Sequence, residues 1–160
     1  MKKFFSRFFN IDKLDAKPSQ PSDASDPSEI RLDSAAMDAV LAEIDLDIAI
    51  ASHEHWKLLL QNILDGESSK ALKPEVICQD ARCDLGKWLY GPGEQRLGHY
   101  PAFQMLIARH KYFHAQAATV VAQAQNGDIE KARQTLNSPY RQASSQVILL
   151  LKQLKRSLER

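Results

Sequence analysis

Residues 101–125 read PAFQMLIARHKYFHAQAATVVAQAQ. Pro101 suits the first turn of a helix, where its missing N–H is not needed. Asn126-Gly127 follow as a stop signal. Between them Phe103, Ile107, His110, His114, Ala117 and Val121 recur at three- and four-residue steps, which is one buried stripe of a long helix. His110 and His114 interrupt this stripe rather than decorate the polar face. Four residues apart, their rings project from one side about one turn from each other.

The same grammar extends in both directions. Upstream, residues 33–64 predict a long helix that stops before Gly66, with Asp33 or Ser34 as its cap. Its stripe is Leu46, Ile50, His53, Trp56, Leu60 and Ile63. Ile48, Ala51, Leu58, Leu59 and Leu64 widen the apolar surface beyond what one core needs, which suggests a second packing surface. Pro74 can begin a helical turn through Cys78, and CDLGKWLYG predicts a short helix ended by Gly91-Pro92-Gly93. Downstream, Asp128 caps IEKARQTL, Ser138-Pro139 breaks or kinks the chain, and helix resumes towards the end. The stripe there is Tyr140, Ala143, Val147, Leu150, Leu151, Leu154 and Leu158. With no strand alternation, the expected fold is all-α, an antiparallel four-helix bundle with additional short helices.

The first 32 residues differ. Phe4, Phe5, Phe8 and Phe9 would share a helix face with Lys2, Lys3 and Arg7 nearby, a candidate docking segment for a partner or, weakly, an anionic membrane surface. Pro, Ser and Asp dominate residues 11–32, the composition of a flexible linker. The expected division is therefore 1–32 as extension and 33–160 as the bundle. At 160 residues, with 44% hydrophobic content, the chain suffices for one domain. A net charge of +1 argues against a general nucleic-acid binder, and two cysteines do not make a secreted disulfide scaffold. No apolar run suits a membrane span or a secretory signal, so the expected location is cytoplasmic.

Three histidines at core positions need a shared explanation, since an unpartnered buried polar group costs about 2 kcal/mol or more. Zinc supplies one. It takes imidazole nitrogen and thiolate sulfur in a tetrahedron at about 2.0–2.3 Å. His110 and His114 can give two ligands, a facing helix a third, and a thiolate on a short element the fourth. His55, two residues after His53, competes for the third place.

These stations resemble one family. HEHW at residues 53–56, CDLGKW at 83–88 and HKYFH at 110–114 match the HxxW, CxLGxW and HxxxH pattern of the CZB, or chemoreceptor zinc-binding, domain. The spacings, 26 residues from Trp56 to Cys83 and 21 from Trp88 to His110, lie in the family range. The resemblance covers residues 45–155. It implies Zn2+ held by His53, Cys83, His110 and His114, with HxxW favouring His53 over His55. It implies a homodimer that regulates bacterial signalling proteins, chiefly chemoreceptors and diguanylate cyclases. Some members are linked to sensing oxidants such as hypochlorous acid through the zinc-bound cysteine.

The chain leaves no room for a signalling hairpin or cyclase domain beside this one. The expectation is a stand-alone, non-enzymatic zinc sensor; the alternative is a structural zinc-stabilised dimerisation or adaptor module. Four protein ligands leave no open position for catalysis, and HKYFH lacks the glutamate of HExxH. A di-iron centre would need bridging carboxylates that are not found. Trp56 and Trp88 are expected to pack beside the site. Cys78 is a candidate redox partner for Cys83, against the plainer reading as a small buried hydrophobe. Asp45, Asp47 and Glu54 are candidate acceptors for the ligands' outer N–H groups.

Overall fold

The capping residues of this sequence mark out its helices. A computed structural model describes residues 30–67 and 72–159. Asp33 accepts the Ala36 N–H at 2.8 Å and starts α1, Ser34–Glu43. Asp45 accepts the Ile48 N–H at 3.0 Å and starts α2, Leu46–Leu64. The single helix expected over 33–64 is thus two. Ile44 is extended (φ −145, ψ 133), because the Asp45 carboxylate offers the backbone a local alternative to the helical hydrogen bond.

The segment after α2 is built of short pieces. They are α3 (Pro74–Ile77), a 3-10 turn (Asp80–Arg82), α4 (Asp84–Leu89) and α5 (Pro92–Leu97). Gly91-Pro92-Gly93 does not merely end α4, for Pro92 opens α5. The long α6 spans Pro101–Gln125, and α7 (Ile129–Thr135) continues into α8 (Arg141–Leu158). The expected break at Ser138-Pro139 is a π-helical turn, Leu136–Tyr140. Its wider winding accommodates a proline ring that would otherwise meet the carbonyl four residues back. Among the described residues there is no strand, and the fold is an all-α bundle.

Cross-helix pairs set the directions. Lys155 reaches Asp47, Lys152 reaches Glu54 and Arg133 reaches Asp65, so α2 runs antiparallel to the α7–α8 run. Thr135 bonds Gln123, and Tyr140 packs on Phe113 with ring centroids 5.4 Å apart, so α6 opposes that run as well. Hence α2 and α6 point the same way, and residues 65–100 must carry the chain back between them. The core between the long helices is filled by Leu60, Phe103, Leu106, Phe113, Tyr140 and Leu151.

Ile30 is buried, and the Tyr100 hydroxyl donates to the Arg31 carbonyl. Both lie inside the stretch that composition marks as linker. Phe4, Phe5, Phe8 and Phe9 lie outside the described residues. Ile48, Ala51 and Leu58 are exposed along the outer side of α2. No described helix is long and apolar enough to cross a membrane.

Replacing Asp45 by Ala removes the cap that separates α1 from α2. Urea unfolding should show a loss of about 1 kcal/mol; an unchanged midpoint would mean that this cap does not stabilise the junction.

Candidate metal centre

α2 presents His53 inward, with Nδ1 2.7 Å from the Ala49 carbonyl one turn back. A carbonyl only accepts, so Nδ1 carries the proton and the Nε2 lone pair faces the interior. α6 presents His114, whose Nδ1 lies 2.8 Å from the Ile77 carbonyl at the end of α3. The same logic leaves its Nε2 lone pair inward. His110, one turn earlier on α6, has its Nε2 3.1 Å from that of His114 and 3.2 Å from Cys83 Sγ. The three histidines are buried, His110 completely, and Cys83 is half-buried.

Cys83 is the N-cap of α4, and its sulfur accepts the Gly86 N–H at 3.2 Å. A helix N-terminus favours the thiolate. Burial nevertheless pushes the Cys83 thiol up, the Gly86 and Leu85 N–H groups pull it back, and the nearby Asp80 and Asp84 carboxylates push up again. Gly86 is required by close approach: a Cβ there would overlap the Asp80 carbonyl oxygen. That contact seats α4 on the preceding turn and aims Cys83 at α6.

One ligand atom from each of His53, Cys83, His110 and His114 lies within 4.8 Å of all the others. His53 Nε2 is buried without a hydrogen-bond partner. A cation at the centre would partner this orphan, and the donor set of three imidazoles and one thiolate is one that zinc accepts. The observed separations of 3.1–3.2 Å between neighbouring donors are near the edges of such a tetrahedron, about 3.3–3.5 Å from typical bond lengths. The residues present fit the ion.

Burial, more than mutual repulsion, pushes the His110 pKa down to about 2, and burial lowers His53 and His114 as well. All three are therefore neutral, the form that binds metal. Phe113 packs 5.1 Å from His53 and 5.4 Å from His114, ring to ring, closing the inner side.

Two cavities flank the centre. One, of about 450 Å³, is lined by His53, Cys83, Trp56, Trp88 and the acidic Glu43 and Asp84. The other, of about 390 Å³, is lined by Cys83, His114, Trp56, Ile77 and the basic Lys73 and Arg82. Trp56 and Cys83 border both. Trp88 packs edge-on against Phe103 and its Nε1–H donates to Glu43, which Arg96 also holds.

Other candidates from the sequence lie elsewhere. His55 is exposed, and His99 stacks on Tyr100. Cys78 is exposed, with its thiol directed at the Glu75 carbonyl, and is not among the clustered ligands. Of the carboxylates suggested for the outer N–H groups, Asp45 caps α2, while Asp47 and Glu54 pair with lysines of α8. The carboxylate behind the site is Asp80, with Oδ2 3.7 Å from His110 Nδ1. Sequence reasoning missed it because it searched the helix that carries His53. The usable signal was its place three residues before Cys83.

The arrangement defines a helical-bundle metal-binding domain of the histidine–cysteine type. Residues 53–121 match the family model of the chemoreceptor zinc-binding domain, CZB, a stretch that holds all four clustered residues. The match over residues 53–121 is consistent with a CZB domain behind an N-terminal extension, and with the clustered donors it supports Zn2+ as the ion. That family is a zinc-binding signalling domain rather than a known enzyme family. No curated protein and no solved structure matches the chain.

Two outcomes follow from this geometry. The folded histidine pKa values lie below the unfolded value of 6.5, so as pH falls the unfolded chain takes up protons first. The metal-free protein should hold its stability above about pH 7 and lose it below, His110 alone removing about 1.4 kcal/mol between pH 7.5 and 5.5. Denaturant titrations at the two pH values check this. Gly86→Ala must push α4 away from Asp80; a loss of about 3 kcal/mol, with weakened zinc retention, is expected by the same method and by metal analysis.

Proposed function

We propose that this protein is a non-enzymatic zinc-binding sensor of bacterial signalling, with His53, Cys83, His110 and His114 as the four ligands. The convergence of three neutral, buried imidazoles on one thiol supports the assignment more than any other observation. Bound Zn2+ supplies a positive charge that stabilises the thiolate and joins α2, α4 and α6. A complete set of protein donors leaves no position for a reacting water, which is why catalysis is not part of this reading.

Cys83 is the ligand through which the site can respond. It alone of the four borders both cavities, whereas His110 borders neither. A hypohalous acid reaching it would oxidise the thiolate to a sulfenic acid while its halogen leaves as halide. The sulfur loses its negative charge and its hold on a cation. His53, His110 and His114 then remain as buried donors without their shared partner, and the packing between α2 and α6 loosens. Zinc scarcity would have the same effect.

The output is read by another protein, in this proposal a chemoreceptor or a diguanylate cyclase, from a cytoplasmic location. Residues 33–160 serve as the sensor and residues 1–32 as an extension whose basic, aromatic start docks on a partner. Exposed Ile48, Ala51 and Leu58 on α2 support a homodimer formed along that helix.

Metal analysis of the purified protein should find one zinc per chain, lost on Cys83→Ala or His110→Ala. Full, tight zinc in either variant would overturn the ligand set. Adding hypochlorous acid to the zinc-loaded protein should release zinc to a chromogenic chelator, and retention of the metal would remove the oxidant arm.

A further inference from the structure

The three histidines of the centre are not supported alike. His53 and His114 each spend Nδ1 on a backbone carbonyl, at 2.7 and 2.8 Å. Those two bonds fix both tautomers whatever else happens in the site. His110 is the most buried of the three and makes both contacts to Cys83 and His114, yet its Nδ1 has no hydrogen-bond partner. Among the described residues no backbone carbonyl accepts from that nitrogen.

The nearest acceptor is Asp80 Oδ2, at 3.7 Å, just outside hydrogen-bond distance. Asp80 is itself buried, which is costly for a carboxylate unless it has partners. One partner is present: the Tyr90 hydroxyl at the end of α4 donates to the same Oδ2. The backbone of Asp80 also bears on the site. Its carbonyl lies 3.5 Å from Cys83 Sγ and against Gly86. One residue thus stands behind two of the four donors, and a residue at the far end of α4 holds it there.

We propose that Asp80, held by Tyr90, is the positioning residue of the metal centre, accepting the Nδ1–H of His110 and turning its Nε2 lone pair towards the ion. The inference rests on the four-ligand reading above. Charge favours it. A divalent cation and one thiolate leave a buried excess of +1, and the Asp80 carboxylate cancels it. Without the ion the same carboxylate faces neutral rings, so it contributes to holding metal rather than to holding the fold. The gap of 3.7 Å closes by a small rotation of either side chain, which loading of the site would favour. A carboxylate behind a ligating imidazole also raises its basicity.

The test is zinc affinity of the full chain by competition with a chromogenic chelator, alongside the visible spectrum of the Co2+-loaded protein and the melting temperature of the metal-free protein. Asp80→Ala should weaken zinc by about 10–100-fold and shift the Co2+ ligand-field bands. Asp80→Asn keeps an acceptor oxygen and should recover part of that loss. Tyr90→Phe should weaken zinc by less than Asp80→Ala. Metal-free melting should be unchanged or higher in both Asp80 variants. Affinity within twofold of the unmodified protein, with an unshifted Co2+ spectrum, would overturn the proposal. So would zinc loss in both Asp80 variants that merely follows a lowered metal-free melting temperature. His110→Ala separates the levels: if it keeps tight zinc, the ligand set itself is wrong, whereas its loss beside an intact Asp80→Ala defeats only the role of Asp80.

Discussion

Everything in this molecule turns on a buried point where three imidazoles and one thiol converge. His53 and His114 have their Nδ1–H groups committed to carbonyls, so their Nε2 atoms can only accept. His110 Nε2 lies 3.1 Å from His114 Nε2 and 3.2 Å from Cys83 Sγ. In a low-dielectric interior such a set is unfavourable by itself and favourable around a cation. The bundle therefore carries a built-in dependence: the packing that makes the site good for zinc makes the metal-free protein less stable.

The same-sense arrangement of α2 and α6 explains the short helices. Two helices pointing one way need a return path, and residues 65–100 provide it. That path is also where the remaining parts of the site reside. Ile77 supplies the carbonyl for His114, Cys83 the sulfur, Asp80 the carboxylate behind His110, and Gly86 the close contact that seats α4. The topological need for a crossover and the placing of a fourth donor beside the histidines are met by one segment.

The four donors differ in access. Small molecules meet Cys83 from an acidic cavity and from a basic one, divided by Trp56, while His110 remains fully enclosed. The sulfur borders both cavities and His110 stays inside.

Much of this was legible in the chain. Pro101 and Asn126-Gly127 delimit α6 without tertiary help, since they act on the local backbone. The histidines show themselves by breaking apolar stripes, because burial is written in helical period. HxxW separates His53, which is buried, from His55, which is exposed. Other features were beyond local reasoning. The division of residues 33–64 at Asp45 depends on a carboxylate winning one hydrogen bond against the helix, a competition that periodicity does not register. Asp47 and Glu54 look free on α2 until α8 brings lysines to them. Asp80 acquires its meaning only when the crossover folds a turn from one part of the chain behind an imidazole from another. The sequence by itself determined most of the helical runs, the core positions of the three histidines and the kind of donors they offer, because those follow from period, capping and donor chemistry. Only the tertiary structure decided which carboxylate stands behind the metal site and which ligand meets solvent, because both depend on distances between segments remote in sequence.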